Sequence, residues 1–107
     1  RLKVPGAERG TADASRGPAM SEVQCHAAIA QGRRLVAALP GNVLLLGEMG
    51  IANTSAAALL MARLTGEPLH ACTGRGTGLD HAGLAAKRAV LAEALAANAQ
   101  ATQPLQA

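Results

Sequence analysis

The chain has 107 residues, 10.7 kDa and a formal net charge of +3, from 10 Lys/Arg against 7 Asp/Glu, enough for one small domain at most. Half of it is apolar, but 26 residues are alanine, Leu, Val, Ile and Met together make 25, and Phe, Tyr and Trp are absent. Without the rings that dominate most cores, the composition predicts thin Ala/Leu packing and a chain that is part of something larger. The longest apolar run, residues 56–62, is far short of the roughly 18–20 residues of a membrane span. The first residues, Arg1-Leu2-Lys3-Val4-Pro5-Gly6, carry no initiator Met and lead into no apolar stretch of secretion-signal length, so they read as an internal cut. The bases are scattered with no aromatic to stack on nucleobases, which argues against nucleic acid as a partner. A mean hydropathy of +0.18 argues against disorder. Cys25 and Cys72 form no CxxC and are expected as buried thiols of a reducing cytoplasm. His26, His70 and His81 show no metal-binding spacing, so no metal is assigned.

In chain order, residues 1–19 are rich in Gly, Pro, Ser and charge, and are expected to form a loop. Ser21-Glu22-Val23-Gln24 is a capping box that starts a helix. Ala28, Gly32, Leu35, Val36 and Leu39 recur on one face of it, Arg33 and Arg34 lie on the opposite, solvated side, and Pro40-Gly41 ends it. Val43-Leu44-Leu45-Leu46, bounded by Gly41 and Gly47, has the pattern of a short strand buried on both faces of a parallel sheet. A Gly-bearing turn follows, then an Ala/Leu helix over residues 56–64 that Asn53, Thr54 or Ser55 can cap. Thr65-Gly66-Glu67-Pro68 closes it. Residues 69–73 are too short to classify. Gly74-Arg75-Gly76-Thr77-Gly78 is a flexible-backbone loop. Asp80 then caps a helix, amphipathic through Leu84, Leu91 and Leu95, that runs to about Asn98.

Two Gly-bearing loops that each open a helix make an anionic ligand the natural guest, because unpaired N–H groups and the helix dipole converge there. The first loop lacks the Gly-Lys-Ser/Thr ending of a nucleotide-triphosphate P-loop, and the second is not a GxGxxG dinucleotide fingerprint. Either is also read as a plain turn of an α/β crossover. Glu48, at the end of the predicted strand, points to the crevice where ligands of open sheets bind, or else is a loop acid. Lys87 either stays solvated or folds back toward a bound phosphate.

Gly47-Glu48-Met49-Gly50-Ile51-Ala52-Asn53-Thr54, followed by Gly74-Arg75-Gly76-Thr77-Gly78-Leu79-Asp80 and Gly83-Leu84-Ala85-Ala86-Lys87, resembles the central segment of the nicotinate-nucleotide dimethylbenzimidazole phosphoribosyltransferase family. Gly10-Thr11 and Gly17-Pro18-Ala19-Met20-Ser21 resemble it too, so the likeness covers nearly the whole chain. The resemblance implies an α/β fold, a piece of a Rossmann-like parallel-sheet domain with Ala-rich helices around one or two short strands. It also implies a cytoplasmic, homodimeric full-length enzyme without a cofactor. Its reaction moves the phosphoribosyl group of nicotinate mononucleotide onto dimethylbenzimidazole, giving alpha-ribazole phosphate for the lower ligand of cobalamin. Carried over by position, Glu48 lines the active site near the ribose in a supporting catalytic role. Gly50, Asn53 and Thr54 form the first substrate loop, Gly74, Gly76, Thr77 and Gly78 the second, and Lys87 neutralises the phosphate.

The likeness departs at Ala14-Ser15-Arg16, and the family's general base has no counterpart after Lys87 except Glu93, which lacks the motif. The expected organisation is a partial nucleotide-binding α/β domain over residues 1–107. Its parts are a loop over 1–19, a helix-strand-helix-loop-helix core over 20–99 and a frayed tail over 100–107. The function reading is a piece of that transferase, inert alone. The alternatives are a non-catalytic nucleotide- or phosphate-binding module and a structural piece whose helices only pack.

Overall fold

The computed structural model describes residues 10–104 and 106. The expected loop at residues 1–9 and part of the expected tail lie outside them. Among the described residues there are four α-helices, α1 (Glu22–Ala38), α2 (Asn53–Thr65), α3 (Leu69–Cys72) and α4 (His81–Ala97), and no strand.

Helix α1 starts where local chemistry dictates. Gln24 N–H donates to Ser21 Oγ at 3.2 Å and Ser21 N–H to Gln24 Oε1 at 2.9 Å, completing the capping box. It stops at Leu39, whose extended backbone is the conformation demanded ahead of Pro40. The periodic apolar face packs on nothing: α1 has no buried residue and touches none of the other helices.

The strand expected at residues 43–46 does not form, and with it the α/β, Rossmann-like reading is overturned. These residues adopt no regular secondary structure, and among the described residues no backbone hydrogen bond joins them to another segment. Leu45 is 89% exposed and Leu46 90%. A continuous apolar run marks a strand only when neighbouring strands satisfy its N–H and C=O groups and cover both faces, and nothing within the described residues does either.

The packed part is α2, α3 and α4. Ala58 and Ala62 on α2 face Leu91 and Ala94 on α4, with Ala101 beyond, and these five are the buried apolar residues. Small side chains let the two helices approach without aromatic filling. The unclassified residues around 69–73 form a single helical turn, locked by Thr73 Oγ1 donating to Leu69 O at 2.6 Å; Thr73 is buried. Arg63 Nη2 donates to Leu95 O at 2.7 Å and Asn98 O at 3.1 Å, satisfying carbonyls at the end of α4. Asp80 Oδ1 accepts Gly83 N–H at 2.7 Å, the cap expected at its start. The two cysteines are unpaired but only half buried, not the interior thiols expected. The chain exposes 7978 Å², against about 5,500 Å² for a self-contained monomer of this mass. Large apolar side chains of α1 and of residues 43–51 are among those exposed.

Candidate functional site

A hollow of about 280 Å³ opens between the turn into α2, the first turn of α2, the loop ahead of α4 and Lys87 on α4. It is lined by Gly50, Ile51, Ala52, Thr54, Ser55, Arg75, Gly76, Thr77, Leu79 and Lys87. The turn is shaped by two departures from ordinary backbone: Gly50 has φ +84° and Ala52, two residues on, φ +64°. For Ala the left-handed region costs roughly 1–2 kcal/mol.

Ala52 is also the N-cap of α2, which corrects the expectation that Asn53, Thr54 or Ser55 would cap it; no side chain does. The N–H groups of Ser55 and Ala56 turn back to Ala52 O. Those of Asn53 and Thr54 have no partner among the described residues and remain free donors at the positive end of the helix.

Thr54 has another task. Its Oγ1 accepts from Lys87 Nζ at 3.1 Å, and Lys87 also donates to Gly74 O at 3.2 Å. An ammonium has three donors, so one is left for a ligand. Lys87 is half buried, its ammonium held by Thr54 and the loop carbonyl. Gly76 fits over this contact as only glycine does. Its φ is +59°, and a Cβ would lie 3.1 Å from Thr54 Oγ1 and 3.6 Å from Lys87 Nζ.

The structure therefore brings together Gly50, Thr54, Gly76, Thr77 and Lys87, with Gly74 contributing its carbonyl at the edge. Asn53, Gly78 and Glu48 do not line the hollow. Glu48 is exposed on the approach to it, its carboxylate accepting the N–H of Gly50, a contact that holds the acid beside the turn. Ser55, Arg75 and Leu79 line the hollow without having been singled out from the sequence. Ser55 follows Thr54 in the first turn of a helix, which hinted at it. The inward placement of Arg75 and Leu79 depends on loop geometry that no spacing rule reports.

The lining carries two cations, Lys87 and Arg75, and no carboxylate, so the hollow suits an anion. A second hollow of about 320 Å³, lined by Ala62, Arg63, Glu67, Leu69, Leu95 and Ala96, carries a carboxylate, Glu67, beside its one arginine. Among the described residues no three of His, Cys, Asp and Glu gather as metal ligands do. No helix there is long and apolar enough to cross a membrane.

Comparison with known proteins adds the family. The profile of a family described as Phosphoribosyltransferase matches residues 2–107. The chain is 66% identical over 98 residues to the nicotinate-nucleotide–dimethylbenzimidazole phosphoribosyltransferase of Variovorax paradoxus (strain S110), covering 92% of this chain and 28% of that protein. It is 60% identical over 99 residues to the protein of that name from Cupriavidus taiwanensis, with 90% and 29% covered. A third of the same name, from Ralstonia nicotianae, is 54% identical over 101 residues, with 92% and 28% covered. No solved structure matches. The chain thus spans under a third of the length of these relatives, and with the match running over nearly all of its own length it belongs to this phosphoribosyltransferase family.

Proposed function

We propose that the native polypeptide carrying this segment transfers the phosphoribosyl group of nicotinate mononucleotide to dimethylbenzimidazole, and that this segment supplies the grip on the mononucleotide's phosphate. One observation carries the reading: Lys87, Thr54 and Gly76 converge from three separate parts of the chain on the uncapped start of α2. The N–H group of Thr54 and the spare donor of Lys87 point a phosphate into place. Gly50, Gly76 and Thr77 let the backbone come close to it.

In the reaction, the bond between ribose C1 and the pyridine nitrogen of nicotinate breaks as the benzimidazole nitrogen bonds to C1. The leaving nicotinate takes the bonding pair, the new bond comes from the lone pair of one benzimidazole nitrogen, and the proton on the other ring nitrogen passes to solvent. Positive charge gathers on the ribose between the two events. Glu48, held beside Gly50, lies on the approach from which a carboxylate favours that charge. Fixing the phosphate fixes the sugar, which turns the encounter with the base into a positioned one. The full-length protein is proposed to act as a homodimer in the cytoplasm.

The test is a pair of binding measurements on the native polypeptide. Lys87→Ala is expected to weaken nicotinate mononucleotide by about 1.5–3 kcal/mol, the range for a hydrogen bond to a charged group, and to leave free nicotinate unchanged. Equal losses for both ligands, or none, overturn the phosphate assignment. Release of nicotinate on adding dimethylbenzimidazole, followed by chromatography, tests the transfer itself.

A further inference from the structure

The loop that carries Gly76 is held by its own arginine. Arg75 Nη1 donates to Leu79 O at 2.7 Å, while Gly78 and Leu79 return their N–H groups to Arg75 O at 3.3 and 3.1 Å. Arg75 Nη2 lies 3.3 Å from both Nδ1 and Nε2 of His81. Because Cε1 sits between those two nitrogens, a donor in the ring plane equally far from both would collide with it. Nη2 therefore lies over the face of the imidazole while Nη1 reaches Leu79 O, two separate contacts from one fork that a single ammonium nitrogen does not reproduce. His81 is the first residue of α4, and Lys87 stands on the same helix two turns on. Arg75 thus joins the loop to the helix whose lysine it must meet.

We propose that Arg75 is a positioning residue: by clasping Leu79 and the His81 ring it sets the loop at the height where Gly76 covers Thr54 and Lys87, and so preorganises the phosphate site. This rests on the mononucleotide reading above and deepens it. Without the clasp, the residues that hold the phosphate remain, but their relative placement is no longer fixed before the ligand arrives.

The experiment has a ligand-free arm and a ligand arm, both on the native polypeptide. In hydrogen exchange without ligand, Arg75→Ala is expected to speed exchange at Gly78 and Leu79 about tenfold while the amides of α2 keep their protection. In kinetics, it is expected to raise KM for nicotinate mononucleotide about tenfold with kcat within about twofold, the pattern of a contact made equally in ground and transition states. Arg75→Lys, which keeps the charge and loses the planar clasp, is expected to track Arg75→Ala. A wild-type-like Arg75→Lys means charge alone is at work and overturns the proposal, as does faster exchange with an unchanged KM. A fall in kcat at constant KM places Arg75 against the reacting atoms and overturns it too.

Inorganic phosphate, titrated against the resonances of Gly76 and Lys87, separates this from a failure of the functional reading. If the wild type turns over no mononucleotide yet binds phosphate, and Arg75→Ala weakens that binding about tenfold, the clasp stands and the reaction falls. Phosphate binding that is absent in the wild type, or unaltered in Arg75→Ala, overturns the clasp.

Discussion

Residues 10–46 and residues 53–101 belong to one chain of the same Ala-rich composition, yet they are organised on different physical terms. The second stretch folds on itself: α2 and α4 bury Ala58, Ala62, Leu91 and Ala94 against each other, and the site is assembled from contacts 13 to 33 residues apart in sequence. The first has one regular element, α1, and among the described residues contributes no buried apolar side chain. Its helix is fixed by a capping box four residues wide, its apolar side chains face outward, and Asn98 Nδ2 donating to Ala14 O at 2.8 Å is a side-chain tether from the end of α4 back to it. The difference teaches that propensity and caps suffice to define a helix, while a site needs residues distant in sequence held against one another.

The strongest way to break this contrast is a pair of truncations. Leu91→Ala removes a side chain only 5% exposed from the α2–α4 contact and is expected to cost about 2–5 kcal/mol. Leu45→Ala removes one that is 89% exposed and is expected to change stability by no more than about 0.5 kcal/mol. Denaturant unfolding of the chain checks both. Equal costs would mean that residues 43–46 are buried in solution and that the two stretches form one core.

Gly76→Ala comes next and sharpens the claim that the site depends on distant approach. The left-handed conformation alone costs about 1–2 kcal/mol for alanine, and the new methyl lies 3.1 Å from Thr54 Oγ1, so Thr54 or the loop must shift. Stability is expected to fall by that order in thermal unfolding, with phosphate binding lost more than stability explains. Retention of both would show that the loop is not seated over Thr54.

Ala52→Gly is the converse test at the other rim. It relieves the left-handed alanine at φ +64°, and after the entropy cost of glycine the expected net gain is about 0.5–1 kcal/mol. A loss instead would mean that the methyl group makes a contact worth more than the strain.

These residues also show what was legible in the sequence. The caps at Ser21 and Asp80, the stop at Gly66 and the extent of α4 were readable because each is decided within a turn of the chain. The positive-φ turns of the second loop, at Gly76 and Gly78, were readable from its glycines. That Thr54 would serve Lys87 instead of capping α2 was not, because a hydroxyl ahead of a helix fits both uses and only the placement of α4 chooses. The strand reading of residues 43–46 failed for a related reason: a continuous apolar run specifies burial, and which elements cover it is not written in the run. Arg75 was hidden among glycines that drew attention to the backbone, although its side chain spans the loop.

The smallest expected effect lies in the loosely packed stretch and asks whether its order is local, as the contrast requires. Asp13 Oδ1 accepts from Ser15 Oγ at 2.7 Å and Ser15 N–H at 3.0 Å, and Arg16 Nε lies 3.6 Å from Oδ2. The hydrogen bond from the Ser15 hydroxyl, then that from its N–H, with a lesser attraction to Arg16, holds the Asp13 carboxyl below the usual carboxylate range. A carboxylate whose pKa is lower folded than unfolded stabilises the turn at pH above its unfolded value, and that contribution disappears as pH falls through the folded value. Acidification is therefore expected to loosen residues 13–16, and Ser15→Ala to move the Asp13 pKa upward toward its ordinary value, both followed by NMR titration of the side-chain carboxyl. The group is fully exposed, so the melting of α2 and α4 is expected to stay unchanged across the same pH range. If protonating Asp13 instead shifted the resonances of α4, the signal would have crossed from Ala14 to Asn98, and that hydrogen bond would be a structural joint between two stretches that otherwise fold on separate terms.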